Sequence, residues 1–194
     1  MTLTIAQVAQ MDRAAFVAAF GGLFEHSPWV AEAAWDARPF ASADALHGAM
    51  IAAIRQVPVE RRIAFLNAHP ELAGKEAEAG TMTDHSTFEQ RGLDALSRDE
   101  VVELRRLNAA YRARHGFPFI IAVLDHTRAQ IVEQLRLRTD RDSAGELAEA
   151  LAQITRITRR RLRNLLADEP PGAAPIPSSS TQPATGRPQE VRHV

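Results

Sequence analysis

The chain has 194 residues, of which 45% are hydrophobic and 24% are charged, and its formal net charge is −1. This length and composition fit one well-packed domain, and the near-zero charge gives no global field that would attract nucleic acid or an anionic membrane. The sequence contains no cysteine, which excludes disulfides, thiolate metal sites and a cysteine nucleophile.

The N-terminal residues and the overall hydropathy pattern argue against export and membrane insertion. Met1–Gln10 lacks the basic start and apolar centre of a signal peptide. No apolar run approaches the roughly 20 residues that a bilayer-spanning helix needs. We therefore expect a cytoplasmic protein.

Apolar residues recur at helical spacing along most of the chain, which predicts an all-α fold with a single compact domain of several helices. No stretch alternates apolar and polar residues for long enough to predict a β-strand. In chain order, the predicted helices are Ile5–Phe24, Ala43–Ile54, Val59–Leu66, Val101–Tyr111, Ile131–Leu137 and Leu147–Leu166.

Residues at the predicted helix ends support these assignments. Ser27-Pro28 and Pro58 each place a proline where a helix begins. Two sequences fit a capping box, in which a serine and a glutamate three residues later satisfy free backbone N–H groups. They are Ser97 with Glu100 and Ser143 with Glu146. Gly116 is a predicted helix stop.

Two regions interrupt the helical pattern. Ala73–Thr83 is rich in Gly, Ala and charged residues, and we expect it to be a mobile loop. Pro170–Val194 is rich in Pro and Ser and has almost no large apolar side chains, so we expect it to be disordered. The predicted organisation is a helical domain over residues 1–168 and a disordered tail over residues 169–194.

His69 is the first candidate for chemistry. It follows the amphipathic Val59–Leu66 and precedes Pro70, which disfavours helical geometry in the residue before it. A stiff neighbour therefore holds an imidazole at a helix end, and histidine is well suited to proton transfer near neutral pH. A surface histidine at the end of a helix fits the same spacing.

The second candidate is the stretch Ser86-Thr87-Phe88-Glu89-Gln90. Ser86 and Glu89 fit another capping box, which is a purely structural use. Ser86, Glu89 and Gln90 also lie on one side of a single helical turn, where they could present a carboxylate and hydrogen-bonding groups to a ligand.

Arg161 lies inside the apolar stripe of the last predicted helix, one heptad after Ile154 and four residues before Leu165. Arginine keeps its charge when it is buried, so it needs an anionic partner. That partner is either a structural carboxylate or an anionic ligand. Gly116-Phe117-Pro118-Phe119-Ile120 adds an apolar corner that fits either core packing or binding of a flat polar ring by backbone groups.

These residues resemble a known family, the 2-oxo-4-hydroxy-4-carboxy-5-ureidoimidazoline (OHCU) decarboxylases, which release (S)-allantoin from a product of urate oxidation. The resemblance runs from about Phe16 to Leu166. Each motif alone is weak, but the ordered set is specific. The matching stretches are Phe20–Pro28 with Ala31-Glu32, Arg38-Pro39-Phe40, His69–Gly74, Ser86–Gln90, Gly92-Leu93-Asp94, Leu107-Asn108 with Tyr111, and Gly116–Ile121.

The resemblance implies an all-helical, cofactor-free carboxy-lyase of purine catabolism that acts on OHCU as a homodimer, without nucleic acid, membrane or metal. His69 corresponds to the family's catalytic histidine. We expect Glu89 to assist it, by orienting the imidazole or by accepting a substrate proton. The resemblance implies a substrate-binding set of Pro70, Ser86, Thr87, Phe88, Glu89, Gln90, Phe119, Ile120, Ile121, Ala122, Val123 and Arg161.

Two other functions remain open at this point. His85 and Glu89 at positions i and i+4, with His69 elsewhere, could belong to a metal-dependent hydrolase acting on a ureide. Alternatively, the polar groups are all helix caps and ion pairs, and the chain is a non-catalytic helical interaction module.

Overall fold

The computed structural model of the chain describes residues 2–72, 74, 83–90 and 97–167, and for Phe88 and Gln90 it describes the backbone alone. Within these ranges the chain forms nine α-helices. They are α1 Ile5–Ala9, α2 Arg13–Phe20, α3 Trp29–Ala34, α4 Ala43–Gln56, α5 Val59–Asn67, α6 Asp84–Gln90, α7 Arg98–His115, α8 Arg128–Thr139 and α9 Ser143–Leu165.

The prediction of an all-α fold is confirmed. Among the described residues the β-structure is limited to one isolated parallel bridge, between Leu3 and Leu166. Two backbone hydrogen bonds of 2.8 Å flank it: Leu3 donates to the Leu165 carbonyl, and Ala167 donates to the Leu3 carbonyl. None of the helices described is long and apolar enough to cross a membrane.

The first predicted helix, Ile5–Phe24, is wrong in its extent. The chain leaves helical geometry after α1 and starts again at Arg13, because the Asp12 side chain accepts a hydrogen bond from the Ala15 N–H and caps α2. A short 3₁₀ turn over Gly21–Leu23 then follows α2. This turn brings Glu25 into the interior, with 1% of its surface exposed.

Three predicted helix ends agree with the structure. The capping box of Ser97 and Glu100 is present, with hydrogen bonds of 3.3 and 2.7 Å. Gly116 ends α7 with a φ of 80°, a conformation that favours glycine. Pro58 directly precedes α5.

The predicted capping box of Ser143 and Glu146 is wrong. Asp142 caps α9 by accepting a hydrogen bond of 2.7 Å from Gly145. Glu146 is fully buried instead and accepts a hydrogen bond of 2.7 Å from Nε of Arg138. The local pattern assigned the Glu146 carboxylate to a helix cap, but this carboxylate forms a buried ion pair between α8 and α9.

The longest helix, α9, carries the predicted apolar stripe into the core. Its buried residues include Leu147, Ile154, Thr158 and Leu162, and Arg161 is among them with 4% exposure. The same hydrophobic core contains the aromatic side chains of Phe16, Phe20, Phe24, Phe40, Phe65, Tyr111, Phe117 and Phe119.

The predicted mobile loop Ala73–Thr83 lies outside the described residues, apart from Gly74 and Thr83. The predicted tail over residues 169–194 and the domain boundary at 168 lie wholly outside them.

Candidate active site

His69 lies just beyond the C-terminal end of α5, as the sequence predicted. Its backbone N–H donates to the Leu66 carbonyl at 3.0 Å, and its Nδ1 is 3.1 Å from the Phe65 carbonyl oxygen. Because a carbonyl oxygen only accepts hydrogen bonds, Nδ1 carries the proton and Nε2 keeps its lone pair. The α5 backbone thus sets both the orientation and the tautomer of the ring.

The environment of His69 favours the neutral imidazole. Burial lowers the pKa of His69 to about 4, and the nearby charge of Glu25 and the hydrogen bond to Phe65 only partly oppose this effect. Near neutral pH the ring is therefore uncharged, with Nε2 available to accept a proton.

Glu25 is a buried carboxylate with three partners. Thr83 donates to its two oxygens at 2.8 and 2.9 Å, Ser86 donates to Oε1, and Arg161 lies 3.2 Å away. Burial raises the pKa of Glu25, but the hydrogen bonds from Ser86 and Thr83 and the charge of Arg161 outweigh it and leave that pKa below its ordinary value. Glu25 is therefore ionised at neutral pH.

Ser86 acts inside α6 and does not cap it. Thr83 precedes the helix, and its side chain accepts a hydrogen bond of 3.3 Å from the Ser86 N–H. The predicted capping box of Ser86 and Glu89 is therefore wrong. Its two side chains are instead bonded to Glu25 and Arg161, so this turn contributes both a hydroxyl and a carboxylate to the buried polar cluster.

Arg161 is engaged by two carboxylates, a backbone carbonyl and a hydroxyl. Nε and Nη2 donate to the two oxygens of Glu89 at 2.9 and 2.7 Å. Nη1 donates to the Leu23 carbonyl at 3.1 Å and forms an ion pair with Glu25 at 3.2 Å, and Nη2 also donates to the Ser86 hydroxyl at 3.4 Å. The sequence left open whether carboxylates or a ligand balance this charge, and the structure shows two carboxylates.

The charges of this cluster do not cancel. Two carboxylates, Glu25 and Glu89, face one guanidinium, and His69 is neutral, so the set carries one net negative charge. Glu89 makes its hydrogen bonds to Arg161, while the ring of His69 is bonded to Phe65. We expected Glu89 to orient the His69 ring, but the backbone carbonyl of Phe65 does so instead.

The stretch Phe119–Ala122 is irregular backbone beside the cluster, and Val123 begins a short 3₁₀ turn over Val123–Asp125. Phe119, Ile120, Ile121 and Ala122 are each at most 5% exposed. Two side chains hold its backbone: Arg138 Nη1 donates to the Ile120 carbonyl at 3.0 Å, and Gln153 Oε1 accepts from the Ala122 N–H at 3.0 Å.

A narrow cleft of about 40 Å³ joins these elements. Most of the predicted site residues meet there, and Leu72 and Ile157 complete the wall. The predicted residues that line the cleft are His69, Pro70, Ser86, Glu89, Phe119, Ile120, Ile121, Val123 and Arg161.

Other members of the predicted set do not line this cleft. Ala122 is buried but contributes no wall to it, and Thr87 is exposed. The side chains of Phe88 and Gln90 lie outside the described part of the structure. Larger grooves of about 490 and 640 Å³ occur elsewhere, but their linings contain no histidine. Acid–base chemistry therefore favours the smaller cleft.

Glu25 is the residue that sequence reasoning missed. It stands within Phe20–Pro28, one of the stretches that carry the family resemblance. A single acidic residue directly after the apolar Gly21–Phe24 was the available signal. Its hydrogen-bond partners lie 58 and 61 positions further along the chain, so no local pattern revealed them.

The two alternative functions can be compared with this geometry. No group of three or more His, Asp or Glu side chains arranged to hold a metal ion occurs among the residues that the structure describes. The carboxylate of Glu89, proposed for such a site, is bonded to Arg161. The reading of Ser86 and Glu89 as a helix cap, on which the interaction module partly depended, does not hold.

Comparison with known proteins adds an independent finding. The sequence profile of the OHCU decarboxylase family matches residues 9–163 of the chain. A 2-oxo-4-hydroxy-4-carboxy-5-ureidoimidazoline decarboxylase from Haloferax volcanii is 41% identical over 169 residues, which cover 86% of this chain and 98% of that protein.

Solved structures agree with the sequence comparison. A crystal structure of (S)-allantoin synthase superposes with a TM-score of 0.69 at 27% identity, covering 84% of this chain and 54% of that one. A crystal structure of OHCU decarboxylase in the presence of (S)-allantoin gives a TM-score of 0.57 at 25% identity, covering 72% and 92% of the two chains.

Proposed function

Because the chain belongs to the OHCU decarboxylase family, we propose that it is a carboxy-lyase that converts OHCU to (S)-allantoin in urate breakdown. The observation that carries the proposal is the juxtaposition of a neutral histidine, a carboxylate and the backbone stretch Phe119–Val123 in one cleft. A related structure obtained in the presence of (S)-allantoin supports this choice of product.

The reaction places clear demands on the site. The bond between the ring carbon and its carboxyl group breaks, CO₂ leaves, and the bonding electron pair passes into the adjacent unsaturated part of the ring. Each turnover takes up one proton, because a hydrogen replaces a carboxylate. The ring itself takes up the electron pair, and we therefore propose a reaction without cofactor.

His69 moves the proton in this scheme. Its free Nε2 accepts the proton of the substrate hydroxyl as that oxygen becomes a carbonyl, and the imidazolium then delivers a proton to the neighbouring ring carbon. The negative charge of Glu25 stabilises the transient imidazolium, as its raising effect on the pKa of His69 indicates. Delivery from one fixed ring gives one enantiomer of the product.

Arg161 acts through the carboxylates in this proposal. Since four hydrogen bonds and the ion pair with Glu25 already engage its guanidinium, we assign it no direct contact with the substrate carboxylate. It instead fixes Glu89, which lies at the cleft with 15% of its side chain exposed and is a second proton acceptor. The net negative charge of the cluster also disfavours a bound carboxylate relative to neutral CO₂, which favours the forward reaction.

The backbone of Phe119–Val123 holds the substrate ring in the same scheme. Its peptide groups offer the N–H donors and C=O acceptors that a ring amide and a ureido group require. Its side chains at the cleft, those of Phe119, Ile120, Ile121 and Val123, are apolar. Pro70 and Ser86 also line the cleft.

We also propose that the enzyme is a cytoplasmic homodimer, as the resemblance implies. Val102, Leu124 and Leu137 are large hydrophobic side chains with 62%, 48% and 56% exposure, and such side chains often mark contact surfaces. Sedimentation equilibrium across a hundredfold range of concentration measures this association directly.

The decisive experiment adds the protein to OHCU generated in situ from urate and follows the circular dichroism of the allantoin formed. We expect rapid appearance of a single enantiomer, also after exhaustive chelation. Slow formation of racemic product, at the rate of a blank without protein, would refute the proposed function.

A further inference from the structure

The stretch Phe119–Ala122 at the cleft is buried although it belongs to neither a helix nor a strand. Phe117 and Phe119–Ala122 are 1 to 5% exposed, and within the described residues no strand pairs with them. Buried peptide N–H and C=O groups need partners, and side chains must supply them where no neighbouring strand does.

Gln153 of α9 is one of these partners. It is 4% exposed, and its Oε1 accepts the hydrogen bond from the Ala122 N–H at 3.0 Å. Its Nε2 donates to Oε1 of Glu149, one turn earlier, at 2.7 Å. Glu149 therefore fixes which way the amide group points, and leaves its oxygen facing Ala122.

This bond fixes the backbone between two residues that line the cleft. Ile121 and Val123 both contribute to its wall, and Ala122 lies between them in the chain. The Ile120 carbonyl is bonded to Arg138 and the Ala122 N–H to Gln153. Ile121 is therefore held on both sides by side-chain hydrogen bonds to its chain neighbours.

We propose that Gln153 is a positioning residue for substrate binding. By holding the Ala122 N–H, it fixes the backbone next to Ile121 and so places the Ile121 peptide groups for the ring amide of the substrate. This inference rests on the proposed function. Gln153 touches no substrate itself and acts only through the backbone that it orients.

Gln153 is better suited to a test than Arg138. The guanidinium of Arg138 also pairs with the fully buried Glu146, so replacing it leaves a carboxylate without its partner and destabilises the fold. Gln153 is neutral, and its contacts are the Ala122 N–H and Glu149.

The experiment compares three variants of the full chain with the wild type. Gln153→Leu removes the acceptor and keeps the volume, while Gln153→Asn keeps an amide but withdraws it by one methylene. The double variant Glu149→Gln/Gln153→Glu exchanges the two groups and keeps a carboxylate oxygen for Ala122. Leu147→Ala is the control, because this α9 residue lines a different groove and its loss lowers stability only.

We expect Gln153→Leu and Gln153→Asn to raise the KM for OHCU and the Kd for allantoin about tenfold, the equivalent of one hydrogen bond, with kcat within about threefold. The double variant should restore KM to within about threefold, and Leu147→Ala should lower Tm and leave KM unchanged. In the NMR spectrum the Ala122 amide proton should shift upfield in Gln153→Leu, which reports the bond without substrate.

The inference is overturned if Gln153→Leu, or Gln153→Asn where the first variant does not fold, leaves KM at the wild-type value. It is also overturned if Leu147→Ala raises KM to the same extent. Absence of turnover by the wild type would instead refute the proposed function, and the Ala122 resonance would still report the contact with Gln153.

Discussion

Replacing His69 with Asn tests the proton transfer and the burial of the ring in one variant. The amide nitrogen of Asn occupies the position of Nδ1 and can keep the hydrogen bond to the Phe65 carbonyl. What disappears is Nε2, the atom proposed to move the proton. We expect kcat/KM to fall by roughly 10²–10⁴-fold, the usual contribution of a positioned acid–base group, and the helical fold to remain.

The same variant changes how stability depends on pH. His69 has a pKa of about 4 in the folded protein, against a reference value of 6.5. The folded state therefore disfavours the protonated ring. The contribution of this group to the free energy of unfolding is at its maximum above pH 6.5 and is lost as the pH drops towards 4. At about 1.36 kcal/mol per pH unit, the loss from this one group is roughly 3 kcal/mol, and His69→Asn should lack it.

His47 provides a matched control. Burial also lowers its pKa to about 4, but its Nε2 donates to the Thr158 hydroxyl at 2.9 Å and it does not line the cleft. Gln places an amide nitrogen at the position of Nε2. In the wild type, protonation of His47 should lower the free energy of unfolding by about the same amount, again roughly 3 kcal/mol. We expect His47→Gln to lack this pH-dependent loss and to keep full activity.

Urea denaturation of the wild type and both variants between pH 4 and 8, with turnover measured on the same samples, checks these values. Wild-type kcat/KM should stay level down to about pH 5, because the imidazole loses its free Nε2 only near pH 4. An activity that declines with a midpoint near pH 6.5, or a His69→Asn variant with wild-type turnover, would show that the reasoning about His69 is wrong.

Three further substitutions test other parts of the structure. Arg161→Lys keeps the positive charge but has three N–H donors, so it cannot keep the four hydrogen bonds to Glu89, Leu23 and Ser86. We expect about 1–3 kcal/mol of lost stability in urea denaturation together with a large loss of turnover; unchanged stability would mean that the cluster is not desolvated. Tyr111→Phe removes the hydroxyl that donates to Glu146 at 2.6 Å and should cost about 1–3 kcal/mol by the same measurement, with KM unaffected. Gly116→Ala meets no steric obstacle, since nothing lies within 4 Å of the added methyl, so its cost should be the backbone strain alone, about 1–2 kcal/mol, and a larger fall in Tm than this implies would contradict that view.

The sequence predicted best those features that depend on neighbouring residues. The amphipathic helices α4, α5, α7, α8 and α9 and the cap at Ser97 follow from periodicity and side-chain chemistry within one or two turns. The predictions failed where a distant partner competes for the same side chain. Glu146 was assigned to a cap at Ser143, but Arg138 and Tyr111 hold it in the core.

In the candidate site, too, local features could be predicted and distant contacts could not. Arg161 could be singled out because a charge on an apolar helix face is visible in the sequence, and the need for a partner follows from its chemistry. The identity of the partners, Glu25 and Glu89, could not be predicted, because α6 and the turn after α2 meet only in the folded chain. The tautomer of His69 likewise depends on where the Phe65 carbonyl lies.

The bridge between Leu3 and Leu166 closes the described chain on itself, although its two residues lie 163 positions apart, from 3 to 166. Paired strands lie about 4.8 Å apart, so a linker of a few residues could join residue 167 to residue 2. A circular permutant of this kind could be opened at the exposed turn before α8, whose first residues lie at the surface. Because contacts between distant positions form slowly, such a permutant would make this contact local, and it should fold faster than the natural connectivity.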